Sequence, residues 1–173
     1  PDIRISAIGC TSVNLLRRLG AWDAIADMRV TPYRGLETWE WNESRVAFDA
    51  ASLSLPELGF MVENRLLQLG LWQQFPSYSS LFLHCPAQLI SMKQSAKHST
   101  QWELTLDNGE CLCSSLIIGA DGANSMVRKF AGIGITGWQY RQSCMLITVE
   151  TEGPQQDVTW QQFFPSGPRA CLP

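Results

Sequence analysis

The sequence predicts a mixed α/β fold in which an α/β layer and an antiparallel sheet take turns along the chain. Three patterns point there. Segments such as "TSVNLLRRLG" and "ENRLLQLGLWQQF" place apolar residues three and four apart, the spacing of one helix face. Aromatic and β-branched runs such as "GLETWEW", "RVAFDA" and "VTWQQFF" read as strands. Between these kinds lies "LIIGADGANSMVR", residues 116–128, which reads as strand, tight turn and helix.

Taken in order, the first helix sets Val13, Leu16 and Leu19 between a Thr/Ser start and a Gly stop. "AWDAIADM" predicts a second short helix, and "GLETWEW" and "RVAFDA" predict a pair of strands. The next helix places Leu67, Leu71 and Trp72 on one face. "SLFLHC" predicts a short strand. In "QWELTL", Trp102, Leu104 and Leu106 alternate with polar residues. That strand meets "ECLCSSLIIGAD" across Asp107-Asn108-Gly109, a hairpin signal. "ANSMVRKFAG" predicts a helix closed by Gly132, and "SCMLITVE" and "VTWQQFF" predict further strands. Strands up to residue 118 are assigned to an α/β sheet. Those near 36–49 and 140–172 are assigned to a separate antiparallel sheet.

Composition narrows the class. At 173 residues the chain can bury one ordinary core. With 45% apolar and 17% charged residues it is globular rather than disordered. A net charge of −3 with scattered Lys and Arg argues against nucleic acid. No run approaches the ~20 apolar residues of a membrane span. Cys111 and Cys113, two apart, share a strand face and lack zinc-knuckle or redox spacing. His84 and His98 have no ligand-like partner, so no metal is expected. The six thiols are expected to be buried and reduced in a cytoplasmic protein. Opening at "PDIRISAIG" and closing inside "FFPSGPRACLP", the chain is expected to be an internal piece of a longer one.

In "SLIIGADGANSMVR", Gly119 and Gly122 allow close backbone approach or unusual dihedrals. Asp121 falls where a helix N-cap would be. The first N–H groups of the helix suit a phosphate, but a carboxylate repels one. Asp121 therefore fixes the turn, or binds through water or a hydroxyl. Arg128 reaches an anion or a surface partner. These residues alone are equally compatible with a capped helix after a buried strand.

"GADGANSMVR" resembles the Asp-Gly fingerprint of the flavoprotein aromatic hydroxylases, the para-hydroxybenzoate hydroxylase family. "RISAI", "PYRGLETWEW", "MVENRLLQLGLW", "AGIGITGWQYRQSCMLITVE" and "TWQQFFPSGPRACLP" narrow this to the hydroxylases of ubiquinone biosynthesis. The resemblance implies a para-hydroxybenzoate-hydroxylase-like FAD/NAD(P)-binding fold, incomplete here. It also implies an enzyme that uses FAD, NAD(P)H and O₂ to hydroxylate a prenylated quinol. The flavin carries the oxygen transfer while the protein binds and orients, so no catalytic acid or base is named.

Position by position, the resemblance puts Arg4 near FAD, where a cation suits a pyrophosphate. It puts Asn64, with Glu63 or Arg65 as other candidates for the same place, at the ribityl or phosphate part. Asp121, Gly122 and Arg128 match the fingerprint. Pro165, Gly167 and Pro168 shape a bend in the stretch that passes the flavin ring, as ligand lining or as a plain sheet corner. Trp39, Trp41, Trp138, Tyr140 and Trp160 are candidates for an apolar tunnel or for plain core.

The implied organisation is FAD-domain helices over 1–30, substrate-domain strands over 31–58, FAD-binding domain over 59–134 and substrate-domain strands over 135–173. The family's Gly-x-Gly-x-x-Gly unit is expected ahead of Pro1 and its second Gly-Asp motif after Pro173, so the chain alone is expected to hold FAD poorly. The resemblance also implies contact with other ubiquinone-biosynthesis proteins, at the inner membrane but without a span. The alternatives are a hydroxylase of another ring position or small aromatic, and a non-catalytic remnant.

Overall fold

The computed structural model describes residues 4–96, 98 and 100–173. The chain divides into two compact units, one running to Leu81 and resuming at Met145, the other from Phe82 to Cys144.

The first unit begins with β1 (Ile5–Gly9), α1 (Cys10–Arg18) and α2 (Trp22–Met28). β2 (Thr31–Tyr33), β3 (Gly35–Trp39), β4 (Val46–Asp49), β5 (Gly59–Glu63) and α3 (Asn64–Trp72) follow. Strands β1, β5 and β2 pair antiparallel in that order. The helices bury Val13, Leu16, Ala21, Trp22 and Ile25 with Val62 of β5. Val13 and Leu16 lie three apart on α1, so one stripe of the helix meets the core. Gly20 adopts φ +72° after α1, which ends the helix where a side chain would be strained. Gly70 lets α3 lie against α2, because a Cβ there would collide with Ile25. Leu67 and Leu71 pack on this core, but Leu19 and Trp72 do not share it and stay exposed.

A second sheet of this unit has the order β10-β9-β3-β4, with β9 spanning Val158–Phe164 and β10 spanning Gly167–Cys171. β3 pairs antiparallel with β4 and parallel with β9. The register of the parallel pair is pinned at its start. Backbone N–H groups of Arg34 and Gly35 donate to the Asp157 carbonyl at 2.7 and 3.2 Å. The Arg34 guanidinium reaches the Asp157 carboxylate at 3.1 Å.

The second unit holds β6 (Leu89–Gln94), β7 (Trp102–Leu106), β8 (Cys111–Ser114) and the short α4 (Met126–Phe130). β6, β7 and β8 form an antiparallel meander. Gly109, at φ +85°, closes the expected β7–β8 hairpin.

The mixed α/β class holds, with antiparallel pairing everywhere except β3–β9. Several expected elements differ. Residues 116–120 belong to no helix or strand, and the sheet before them is a meander rather than an α/β layer. "SLFLHC" and "SCMLITVE" are likewise not strands. Apolar, β-branched composition makes a strand only where a neighbour completes the ladder, and these segments have no such neighbour among the described residues. "FFPSGPRACLP" is a hairpin rather than one strand, turning back at Pro165-Ser166. The thiols are not buried. Cys85, Cys111, Cys113 and Cys144 are exposed, and Cys10 and Cys171 are half-buried.

Candidate functional site

The Asp-Gly turn lies between residues 116–120 and α4. Its carboxylate takes three hydrogen bonds. The Ser125 hydroxyl donates to Asp121 Oδ1 at 2.5 Å, and the N–H groups of Met126 and Val127 donate to Oδ2 at 2.6 and 3.2 Å. Ser125 Oγ in turn accepts from the Arg128 N–H at 3.0 Å. Ser125 is therefore the N-cap of α4, and Asp121 reaches past it to the first-turn amides. This corrects the expected arrangement twice. Asp121 does not cap the helix from the N-cap position, and the first-turn N–H groups are already used within the chain rather than held open for a phosphate. The Ser125 hydroxyl, then the Val127 and Met126 amides, hold the Asp121 carboxyl below its ordinary range.

Glycines shape the same turn. Gly122 sits at φ +80°, and nothing lies within 4 Å of where its Cβ would stand. A Cβ on Gly119 would stand 3.1 Å from Val127 Cγ1, so its absence lets α4 close on the segment before the turn. The Arg128 guanidinium donates to the Ala123 carbonyl at 2.9 Å, tying the helix back to the turn. Beside the turn is a cleft of about 320 Å³, lined by Met92, Trp102, Ile117, Val127, Ile133 and Arg128. Its polar lining comes from Ser115, Ser125 and Arg128.

Arg4 and Asn64 meet in the other unit. The Asn64 N–H donates to the Arg4 carbonyl at 2.9 Å, and the Ser6 hydroxyl donates to Asn64 Oδ1 at 2.6 Å. Of the neighbours considered for the same role, Glu63 pairs with Arg29 at 3.3 Å, while Arg65 is exposed. Pro165 stands in the two-residue turn between β9 and β10. Gly167 opens β10 at φ +120°, and Pro168 lies opposite Phe163. The five aromatic candidates fall in different units. Trp39 and Trp160 stack with ring centres 5.6 Å apart on the four-stranded sheet, with Arg45 over Trp39. Trp138 and Tyr140 pair at 6.1 Å in the second unit.

Sequence reasoning passed over Ser125 and Ser6, the two hydroxyls that orient Asp121 and Asn64. Ser125 was findable, since a Ser three residues before a helical N–H is a cap signal. The pairing of Ser6 with Asn64 leaves no local signal. The Gly-x-Gly-x-x-Gly spacing, expected only ahead of Pro1, is also spelled by Gly132, Gly134 and Gly137. It trails α4 and opens no helix, so it lacks the strand–loop–helix setting that a dinucleotide loop requires.

Residues 1–167 match the family described as FAD binding domain. The chain belongs to that FAD-binding domain family. Within it, the chain is 55% identical over 173 residues to 3-demethoxyubiquinol 3-hydroxylase of Escherichia coli K12, covering 100% of this chain and 44% of that protein. It is 36% identical over 181 residues to the mitochondrial ubiquinone biosynthesis monooxygenase COQ6 of Danio rerio, covering 98% of this chain and 37% of that protein. This member of the FAD-binding domain family thus spans less than half the length of the curated relatives it matches. Among solved structures, a PqsL variant from P. aeruginosa superposes with TM-score 0.66 at 15% identity, over 79% of this chain and 37% of that one. The flavin-dependent monooxygenase PieE, in complex with FAD and substrate, superposes with TM-score 0.58 at 17% identity, over 78% of this chain and 26% of that one. These likenesses support the fold.

Each unit, taken by itself, carries groups that fit the family's cofactor in kind. Arg4 and Arg128 supply guanidinium groups suited to phosphate oxygens. Asn64 supplies a carboxamide suited to a hydroxyl. Gly122 leaves open space beside the turn.

Proposed function

We propose that this chain serves an FAD-dependent monooxygenase that hydroxylates a prenylated benzoquinol ring in ubiquinone biosynthesis, at the expense of NAD(P)H and O₂. The observation that carries this reading is 55% identity, across the whole chain, to 3-demethoxyubiquinol 3-hydroxylase. FAD supplies the redox and oxygen-transfer chemistry when bound. The overall balance puts one oxygen atom of O₂ into a ring C–H bond and reduces the other to water with the hydride of NAD(P)H and a proton.

The residues divide the binding work. Arg4 and Arg128 neutralise phosphate charge, and Asn64, oriented by Ser6, meets a cofactor hydroxyl. Asp121 acts through shape. Its charge is spent on Ser125, Met126 and Val127, which holds Gly122 and α4 in place and keeps the carboxylate from facing a phosphate. Pro165, Gly167 and Pro168 border the ring site from the β9–β10 turn. On this reading residues 1–30 and 59–134 belong to the FAD-binding part, and 31–58 and 135–173 to the substrate part. The protein works in the cytoplasm, peripheral at the inner membrane, beside other ubiquinone-biosynthesis proteins. No helix among the described residues is long and apolar enough to cross a membrane.

The test is turnover of the protein as the cell makes it, with a short-chain demethoxyubiquinol analogue. A product heavier by one oxygen, formed with NAD(P)H oxidation, is expected. Oxygen insertion only into a quinol open at another ring position would move the enzyme to a different step. NAD(P)H oxidation without any hydroxylated product would overturn the reading.

A further inference from the structure

The four-stranded sheet consists of two hairpins. β3 and β4 form one, and β9 and β10, closed by a two-residue turn, form the other. One parallel ladder, β3 on β9, joins them. A hairpin turn fixes the register of its own strands. The parallel ladder has no such turn, because Arg34 and Asp157 at its start lie 123 residues apart. Ladder bonds repeat along a strand, so backbone pairing alone accepts a shifted register as readily as the true one. Trp160 lies opposite Glu37, on the face that carries Trp39. A shift of one residue would turn Trp160 to the other face. A shift of two residues keeps the faces but moves the β9–β10 turn by about 7 Å along β3.

Two side-chain features belong to the true register alone. A Cβ on Gly35 would stand 3.0 Å from Val158 Cγ2, so Gly35 admits Val158 opposite it. The other feature is the Arg34 side chain. Its Nη1 donates to Asp157 Oδ2 at 3.1 Å, and its Nε donates to the Pro56 carbonyl at 3.2 Å. Arg34 thus ties the start of β9 to the segment that returns from β4 to β5. It stands between β2 and β3, where the chain leaves the three-stranded sheet for the four-stranded one. A cleft of about 250 Å³ lies beside it, bordered by Asp49, Leu55, Pro56 and Asp157, so polar contacts rather than packing place the guanidinium. The Arg34 and Asp157 side chains are 52% and 46% exposed, and an ion pair that open adds little to stability. What it adds is a preference for one register. We propose that Arg34 is a positioning residue: paired with Asp157, it locks β9 in register on β3 and so sets where the β9–β10 turn meets the ring substrate. The inference rests on the hydroxylase reading, which gives Pro165, Gly167 and Pro168 the border of the ring site.

The experiment compares Arg34→Gln, Arg34→Lys and Asp157→Asn in the protein as the cell makes it. Register is read from near-ultraviolet circular dichroism, where the part of the signal that Trp39→Phe removes reports the Trp39–Trp160 stack. Arg34→Gln and Asp157→Asn are expected to diminish that part. They should also lower kcat for a short-chain quinol analogue roughly tenfold, the consequence of misplaced reactants, with KM for NAD(P)H unchanged. Arg34→Lys keeps the cation and should fall between these variants and the native protein. Asp157→Asn preserves the size of the side chain, so it decides the matter if Arg34→Gln unfolds. A stack signal unchanged in both variants, or a diminished signal with kcat unchanged, would overturn the proposal. So would a lowered kcat with the stack intact, because Arg34 would then act by something other than register. A native protein that hydroxylates no quinol overturns the hydroxylase reading instead, and the stack signal still decides whether Arg34 locks the register.

Discussion

Asp121 is held by three donors that belong to its own turn, and this decides what replacing it would do. Asparagine keeps the shape but loses the charge that favours the start of α4. Asp121→Asn is expected to lower the melting temperature, and Ser125→Ala to cost about 1 kcal/mol as a lost cap. The pH dependence has a definite sign. The folded carboxyl is held below its ordinary range, so its contribution is complete above that range and disappears as pH falls through the lowered value. The melting temperatures of the native protein and Asp121→Asn should therefore converge in acid and separate towards neutral pH. A gap that stays constant across that window would show that the turn does not depend on the charge. Gly122→Ala places a side chain at φ +80° and should cost roughly 1–2 kcal/mol, seen as a lower denaturation midpoint. At this scale the sequence showed that the turn needs glycine and a carboxylate. It hid the division of labour, because Asp and Ser are equally good caps by type and only the fold puts Ser125 at the N-cap.

Among the elements, those whose signal is local were legible. The β7–β8 hairpin is written in Asp107-Asn108-Gly109, and β3–β4 in two aromatic runs close in sequence. Composition did not tell which of the strand-like runs would find a partner. Residues 116–120 and 143–150 have strand-like residues but no ladder, whereas β9 has β3 and β10 on either side of it. Helix faces were partly legible. Periodicity found Leu67 and Leu71, but it also enlisted Leu19 and Trp72, which lie at helix ends where the pattern no longer says which way a side chain faces. The α2–α3 contact offers a test of this packing. Gly70→Ala drives a methyl group into the fully buried Ile25 and should cost roughly 1–3 kcal/mol by overpacking. Adding Ile25→Val should recover part of that loss, since it removes a methyl group at the collision. Additive losses in the double variant would mean that the two residues do not press on each other.

For the whole molecule, the question is how firmly these 173 residues alone can hold the family's cofactor. A pyrophosphate is bound tightly where several backbone N–H groups and a helix start converge on it. Here the first turn of α4 has its N–H groups taken by Asp121 and Ser125, and α4 is five residues long. What remains is chiefly Arg4, exposed at the surface, and Arg128, half-buried and already bonded to Ala123. Each is a charge-assisted donor, but in contact with solvent its attraction is screened. The apolar surface tells the same story, since Phe82, Ile118 and Met145 are each about 80% exposed. Large side chains left this open favour binding to other apolar surfaces over a tight, isolated state. The 173-residue chain expressed by itself should therefore emerge from desalting with substoichiometric flavin and should brighten a dye that reports exposed apolar surface. A full flavin absorbance band retained through desalting would mean that the turn and the two arginines suffice. In that case Arg128→Gln should strip the flavin, whereas Arg18→Gln, exposed and outside the turn, should leave it in place.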